Sequence, residues 1–483
     1  MADEEFRWLD ATAQAELLAK GEVTPHELVD AAIARIEADN PRVNAVITTM
    51  YDKARASLDR LPDGPFRGVP FLLKDAVAHS AGDPYHCGMQ VLKDAGYVAP
   101  HDTTLVTRYR AAGFVILGKT NLPELAFSIT TEPRAYGATR NPWKLEHSAG
   151  GSSGGSGAAV GAGMVAVAHG NDMGGSIRAP SSACGLVGLK PTRARNSLGP
   201  DFADYWGLTT HEHVLTRAVR DTAAVLDATA RPAPGDPYFA PPPARPFVDE
   251  VGADPGRLRI GFRTRGPSRD DDAHPDCVAA VANTARLLES LGHHVEAVDL
   301  PALDDAAYGE TTGSLFPVFL AREVDRWSAV LGREIQLSEL EPFNAQMAEG
   351  GRAVTGAQYL AGTEAANHYC RRLATWWDPE SPDGGWDILV TPQLGAPPPR
   401  IGEIGPDSDP AHCFARMGVL GTFTMPFNLT GQPAVSLPLH WNDAGLPIGV
   451  QLAAAYGRED VLLRLAAQLE AAQPWADRHP PGF

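Results

Sequence analysis

The sequence predicts an α/β protein in which helices cover both faces of one large β-sheet, an α/β/α layering. Three observations predict it. Strand-like and helix-like signals alternate along most of the 483 residues. The strand candidates are largely short apolar runs, as expected of buried strands. Hydrophobic residues make up 44% of the chain and charged residues 21%, a globular balance, at a length that suits one large α/β domain or two to three ordinary ones.

The elements follow in order. Thr24-Pro25-His26-Glu27 is a capping box with proline at the first helical position. Val29, Ala32, Ile33 and Ile36 then recur at helical spacing, and Asn40-Pro41 is expected to stop that helix. Residues 43–49 and 68–74 read as strands, 102–112 as a helix and 114–117 as a buried strand. Residues 156–163 suit a tightly packed helix and 164–168 a strand. Residues 231–257, with Pro241-Pro242-Pro243, read as a proline-rich surface connection or a boundary. Beyond it come a strand at 258–262, a helix at 274–291 and a strand at 294–298. Helices dominate residues 315–377, strands fall at 388–390 and 447–453, and a helix at 459–472 ends the pattern. No fixed-period repeat is visible.

The formal net charge is −18, which argues against nucleic acid and anionic membrane surfaces as partners, since both require clustered Lys and Arg. Five scattered cysteines without C-x-x-C spacing predict free thiols in a reducing compartment. The acidic N-terminus lacks an apolar signal region, and the small-residue run at 158–168 is too short to span a bilayer, so a cytoplasmic location is expected.

Gly113-Phe-Val-Ile-Leu-Gly118-Lys119-Thr120 matches the P-loop pattern letter for letter. Its four intervening residues are all large and apolar, so a buried strand ending in a turn is the better reading. Residues 150–157 have linker composition, yet they run directly into Ala158-Ala159-Val160, as a flexible linker would not.

Two serines, Ser152 and Ser176, sit in glycine-dense turns, and Lys74 ends the apolar run Val69-Pro70-Phe71-Leu72-Leu73. Together they are the parts of an acyl-transfer site that uses no histidine. Ser176 follows Met173-Gly174-Gly175, whose N–H groups can converge on an oxyanion, which makes it the nucleophile candidate. Ser152 would pass protons between Ser176 and Lys74, and Lys74 would be the base once burial depresses its pKa. Each residue also has a structural alternative: a strand-end lysine, a helix-capping serine, a turn serine. Asp172 and Arg178 read as a structural ion pair beside the turn. His211-Glu212-His213 lacks the i, i+4 histidine spacing of a zinc helix, and neither a metal nor a cofactor is expected.

Residues 150–178 resemble the core motif of the amidase signature family. Gly118-Lys-Thr-Asn121, Gly137-Ala-Thr-Arg-Asn-Pro-Trp143, Gly185-Leu-Val-Gly-Leu-Lys-Pro-Thr192 and Pro426-Phe-Asn-Leu-Thr-Gly-Gln-Pro433 extend the likeness over nearly the whole chain. The resemblance implies one domain over 1–483 around a large mixed sheet, with an N-terminal segment at 1–70 and a catalytic core at 71–195. It implies a Ser-cisSer-Lys triad of Ser176, Ser152 and Lys74, and an oxyanion hole from Met173, Gly174, Gly175 and Ser176. The segment Ala126, Phe127 and Ser128 corresponds to a pocket lining. The implied substrate is a small amide or oligoamide, including cyclic or linear 6-aminohexanoate oligomers, and the family expectation is a homodimer. Phe127 and Phe316 stand where a polar amide and a cysteine are expected, so an apolar linear or aryl amide fits as well. The alternative is a glutaminase subunit of a tRNA-linked amidotransferase; Pro123-Glu-Leu-Ala-Phe-Ser128 looks unlike that subunit's acidic, methionine-containing loop.

Overall fold

The computed structural model describes residues 4–269, 271–305 and 307–483. Thirteen strands occur among the described residues. In chain order they are β1 (Val46–Thr49), β2 (Pro70–Lys74), β3 (Val115–Thr120), β4 (Arg140–Asn141), β5 (Lys144–Ser148), β6 (Val167–Asp172) and β7 (Val187–Lys190), then β8 (His211–Thr216), β9 (Arg259–Phe262), β10 (His294–Ala297), β11 (Ile388–Pro392), β12 (Ala434–Trp441) and β13 (Pro447–Ala454). β4 and β5 pair with each other; the other eleven form one sheet in the order β1-β3-β2-β6-β8-β7-β12-β13-β11-β9-β10. It is mixed: β2 runs parallel to β3 and β6, and β11 to β9, whereas β6–β8, β7–β12 and β12–β13 are antiparallel.

Both faces of the sheet are covered, so its central strands are buried on both sides; most of their residues are apolar, and the polar residues of β6 and β8 are buried with them. On one face Leu72, Leu117 and Ala168 pack against the helices Pro25–Val43 and Gly154–Gly161. Their chain neighbours Leu73, Ile116 and Val167 point the other way, into a second cluster with Tyr109 and Val225. Toward the C-terminal end, β7, β12 and β13 bury Leu189, Leu437 and Val450 against the helices Val219–Thr229, Pro275–Ser290 and Glu459–Ala472. The layering therefore follows from strand alternation and from helical stripes that meet it.

The local expectations hold with three adjustments. The capping box at Thr24 and Glu27 is present, but the helix continues through Pro41 to Val43. Pro41 lies in the last turn, where the missing N–H removes little of the ladder, and Asn44 in the left-handed region ends the helix, its N–H on the Asn40 carbonyl at 2.7 Å. The strand expected at 164–168 is β6, shifted to Val167–Asp172, because its polar end still pairs with β8. Gly118-Lys119-Thr120 is extended strand, continuous with β3, rather than a turn. A Cβ on Gly118 would lie 2.4 Å from the Thr48 carbonyl, so glycine there serves the approach of β1. The Gly/Ser segment forms the buried helix Gly154–Gly161, and at Gly155 a Cβ would meet the Asn121 backbone at 2.3 Å. The proline-rich stretch carries no strand, and the buried Phe247 anchors it to the core.

Candidate active site

Lys74 closes β2, behind the four buried apolar residues Pro70, Phe71, Leu72 and Leu73, and is itself fully buried. Burial strips its ammonium of water and pulls its pKa down to about 7, against the opposing fields of Glu212, Cys87 and Asp172. Nζ donates to Ser152 Oγ at 2.7 Å and to Asn171 Oδ1. The Asn171 amide donates to the Ala76 carbonyl at 3.1 Å, which turns its oxygen toward the lysine.

Ser152 follows a cis Gly151–Ser152 peptide. Thr131 clamps this turn: its hydroxyl donates to the Gly150 carbonyl at 2.9 Å and accepts the Gly154 N–H at 3.2 Å. The Ser153 N–H donates to the Ser176 carbonyl at 3.3 Å and ties the two serine turns together. No direct hydrogen bond joins the Ser152 and Ser176 hydroxyls among the described residues.

Ser176 lies between β6 and the helix Arg178–Cys184, in a turn built around Asp172. Asp172 Oδ1 accepts the Gly175 N–H at 2.7 Å and Oδ2 the Ile177 N–H at 3.1 Å. Arg178 reaches both oxygens at 2.9 Å, and Asn428 donates to Oδ1 at 2.8 Å. Burial alone would raise this carboxyl; the Arg178 guanidinium and the Asn428 amide more than offset it and hold it well below the usual range. The expected structural ion pair is thus present. Of the four N–H groups expected at an oxyanion, that of Gly175 is already committed to Asp172, which leaves those of Met173, Gly174 and Ser176.

A cavity of about 720 Å³ opens over this turn. Gly151 and residues 173–176 line it, as do Ala126, Phe127, Ser128 and Phe316, so the expected pocket residues converge. Phe127 stacks on Phe343 with ring centroids 5.7 Å apart and meets Trp206 at 5.2 Å and Phe316 at 6.3 Å. Lys74 and Ser152 are sealed from solvent behind that lining.

Sequence reasoning missed Asn171, Thr131, Trp206 and Arg269. Asn171 left one signal, a polar residue inside a buried strand. Trp206 and Arg269 come from irregular segments far from the motif, where no periodicity marks them. Of the rejected leads, Lys119 is buried 3.7 Å from Asp75, and His169 pairs with Glu212 inside the sheet. His79, His101 and Asp201 form a cluster with ligand-like spacing among the described residues, internally bonded at 2.9 Å for each histidine and absent from the cavity lining.

The amidase family profile matches residues 27–463. The chain belongs to the amidase signature family. Amide hydrolysis is its chemistry. Among relatives of this amidase, the 6-aminohexanoate-cyclic-dimer hydrolases of Pseudomonas sp. (strain NK87) and Paenarthrobacter ureafaciens are each 45% identical over 98% of this chain and 96% of their own. The structure of a 6-aminohexanoate cyclic dimer hydrolase superposes with a TM-score of 0.93 at 44% identity, covering 98% of this chain and 99% of that one. A bacterial aryl acylamidase of the same family gives 0.86 at 27% identity, covering 98% of both chains. Among the described residues, no helix of the amidase is long and apolar enough to cross a membrane.

Proposed function

We propose that this amidase cleaves its substrates with Ser176 as nucleophile, Ser152 as proton bridge and Lys74 as base, and that its substrates include 6-aminohexanoate oligomers. One observation carries the reading: an amine whose pKa burial brings to about 7 is bonded to Ser152 behind the cavity that Ser176 faces. Neutral Lys74 accepts the Ser152 proton as Ser152 accepts that of Ser176, and Ser176 Oγ bonds to the substrate carbonyl carbon. The relay needs the Ser176 hydroxyl to turn onto Ser152; catalytic hydrogen bonds often tighten only around bound substrate. The N–H groups of Met173, Gly174 and Ser176 meet the oxyanion. The C–N bond then breaks, the relayed proton leaves on the amine, and water hydrolyses the acyl-enzyme to the acid.

The 45% identity to two cyclic-dimer hydrolases supports the oligomer substrate. The aromatic wall at Phe127 and Phe316 favours apolar linear or aryl amides beside it. The unbroken sheet, joined across the chain by β7–β12, supports reading the chain as a single domain. The test is a panel of linear and cyclic aminohexanoate oligomers and anilides, assayed with wild type, Ser176→Ala and Lys74→Ala. Loss of turnover with an unchanged unfolding midpoint is expected; wild-type rates in Ser176→Ala would falsify the assignment.

A further inference from the structure

Among the described residues, the cavity lining contains one charged side chain, Arg269, and no carboxylate. The neighbouring arginines are neutralised: Arg263 meets Asp304 at 2.6 Å and Arg265 meets it at 3.6 Å. Arg269 makes no ion pair among the described residues. Its Nε donates to Thr422 Oγ1 at 3.3 Å, which orients the guanidinium, and neither terminal amino group has a hydrogen-bond partner among the described residues. It is half-buried beside Gly418, with Nη2 3.9 Å from where a Cβ there would stand. In a chain of net charge −18 with 59 acidic residues, a cation that meets no acid among the described residues of the cavity lining stands out.

We infer that Arg269 is a subsite for a substrate carboxylate, so that the amidase prefers aliphatic amides ending in a free carboxylate. The inference rests on the reading of Ser176 given above and names the substrate class of that same cavity. A guanidinium matches a carboxylate with two parallel N–H···O bonds, and in a partly dewetted site such pairing is stronger than in water. The other walls, Phe316, Phe343, Met347, Met417 and Met425 among them, suit methylene chains. An apolar chain with an anionic end is the ligand that satisfies both. Each cleavage of an oligoamide also generates a carboxylate, so shortened products carry the recognised group back into the cavity.

The test compares N-hexanoyl-6-aminohexanoate with N-hexylhexanamide, which share acyl group and chain length and differ in the carboxylate. The monohexylamide of adipic acid places the carboxylate on the acyl side instead. The wild type is expected to favour at least one carboxylate substrate in kcat/KM by about tenfold or more, the scale of a charge-assisted hydrogen bond. Arg269→Gln is expected to erase that preference mainly through KM, Arg269→Lys to keep part of it, and added salt to weaken it in the wild type. Which of the two substrates responds fixes the orientation of the chain. Amide cleavage with no carboxylate preference in the wild type, or with an equal preference in Arg269→Gln, overturns the inference and leaves the Ser176 reading standing. A wild type that cleaves no amide overturns both.

Discussion

Arg178 grips both carboxylate oxygens of Asp172 at 2.9 Å, with both side chains fully out of solvent. Asp172 in turn fixes the Gly175 and Ile177 N–H groups on either side of Ser176. The pair therefore sets the shape of the turn that presents Ser176. Removing one partner leaves the other charge buried and alone. Arg178→Met is expected to lower unfolding stability by about 3–5 kcal/mol, read by urea denaturation. A loss within experimental error would show that the turn holds its shape without the pair.

Lys74 is protonated below its folded pKa of about 7 and neutral above it. Only the neutral form can accept the Ser152 proton. At saturating distance from other titrations, kcat/KM should rise about tenfold per pH unit below that value and level off above it. Asn171→Asp places an anion where Nζ now donates, which favours the ammonium and should move the profile to higher pH. An unmoved profile in that variant would remove Lys74 as the group being titrated.

Gly175 adopts φ +138°, and a Cβ there would stand 2.7 Å from Thr424 Oγ1. Thr424 is not free to retreat, since its hydroxyl sits between two carbonyl acceptors, that of Gly421 at 2.9 Å and that of Gly174. Gly175→Ala should therefore reduce kcat sharply and destabilise the fold by about 1–3 kcal/mol. Combining it with Thr424→Ala should recover part of the stability, because the contact atom is gone. A double-mutant cycle measures that coupling directly.

Glu124 and Glu341 meet behind the pocket segment, where Glu124 Oε2 accepts the Glu341 N–H at 2.8 Å and the Asn344 amide at 2.9 Å. Burial pushes both carboxyls up, and the Glu124 charge pushes Glu341 further. A raised folded pKa means that the fold binds the proton more tightly than the unfolded chain does. The resulting stability is fully present below the ordinary glutamate pKa of about 4.3 and is lost as pH rises through the raised values. Glu341→Gln should flatten that decline and raise the melting temperature at pH 8 relative to wild type. Equal slopes of melting temperature against pH would contradict this.

Phe127 and Phe316 fill space in the cavity wall that a smaller polar side chain would open. Phe127→Asn with Phe316→Cys is expected to shift the ratio of cyclic to linear oligomer hydrolysis toward the cyclic substrate, at the scale of about 1–3 kcal/mol that a pocket of this kind commands. Product analysis by chromatography reads the ratio.

The layered fold was legible because its signals are local. The capping box at Thr24, the apolar stripe of the helix Glu459–Ala472 and the run before Lys74 each declare themselves within a few residues. Lys74, Ser152 and Ser176 stand out in the sequence as candidates because glycine-dense turns beside lone polar groups are chemically unusual. Asn171, Thr131 and Arg269 act through partners that are distant in sequence: Asn171 lies on β6 and its lysine on β2, and Arg269 meets Thr422 across the fold. Pro41 misled because a helix-breaking residue is harmless where the helix is already ending.

The turns at 150–178 and the strands β2 and β6 beneath them come from the first half of the chain, whereas Phe343, Met417 and Met425 in the cavity lining come from the second. The cavity wall thus draws on both halves, with Phe127 and Trp206 from the first and Phe343 and Met417 from the second. Point changes at lining residues that do not touch the Ser176 turn, such as Phe343 and Met417, can reshape the cavity while the turn keeps its geometry, so altered amide selectivity is within reach of few mutations.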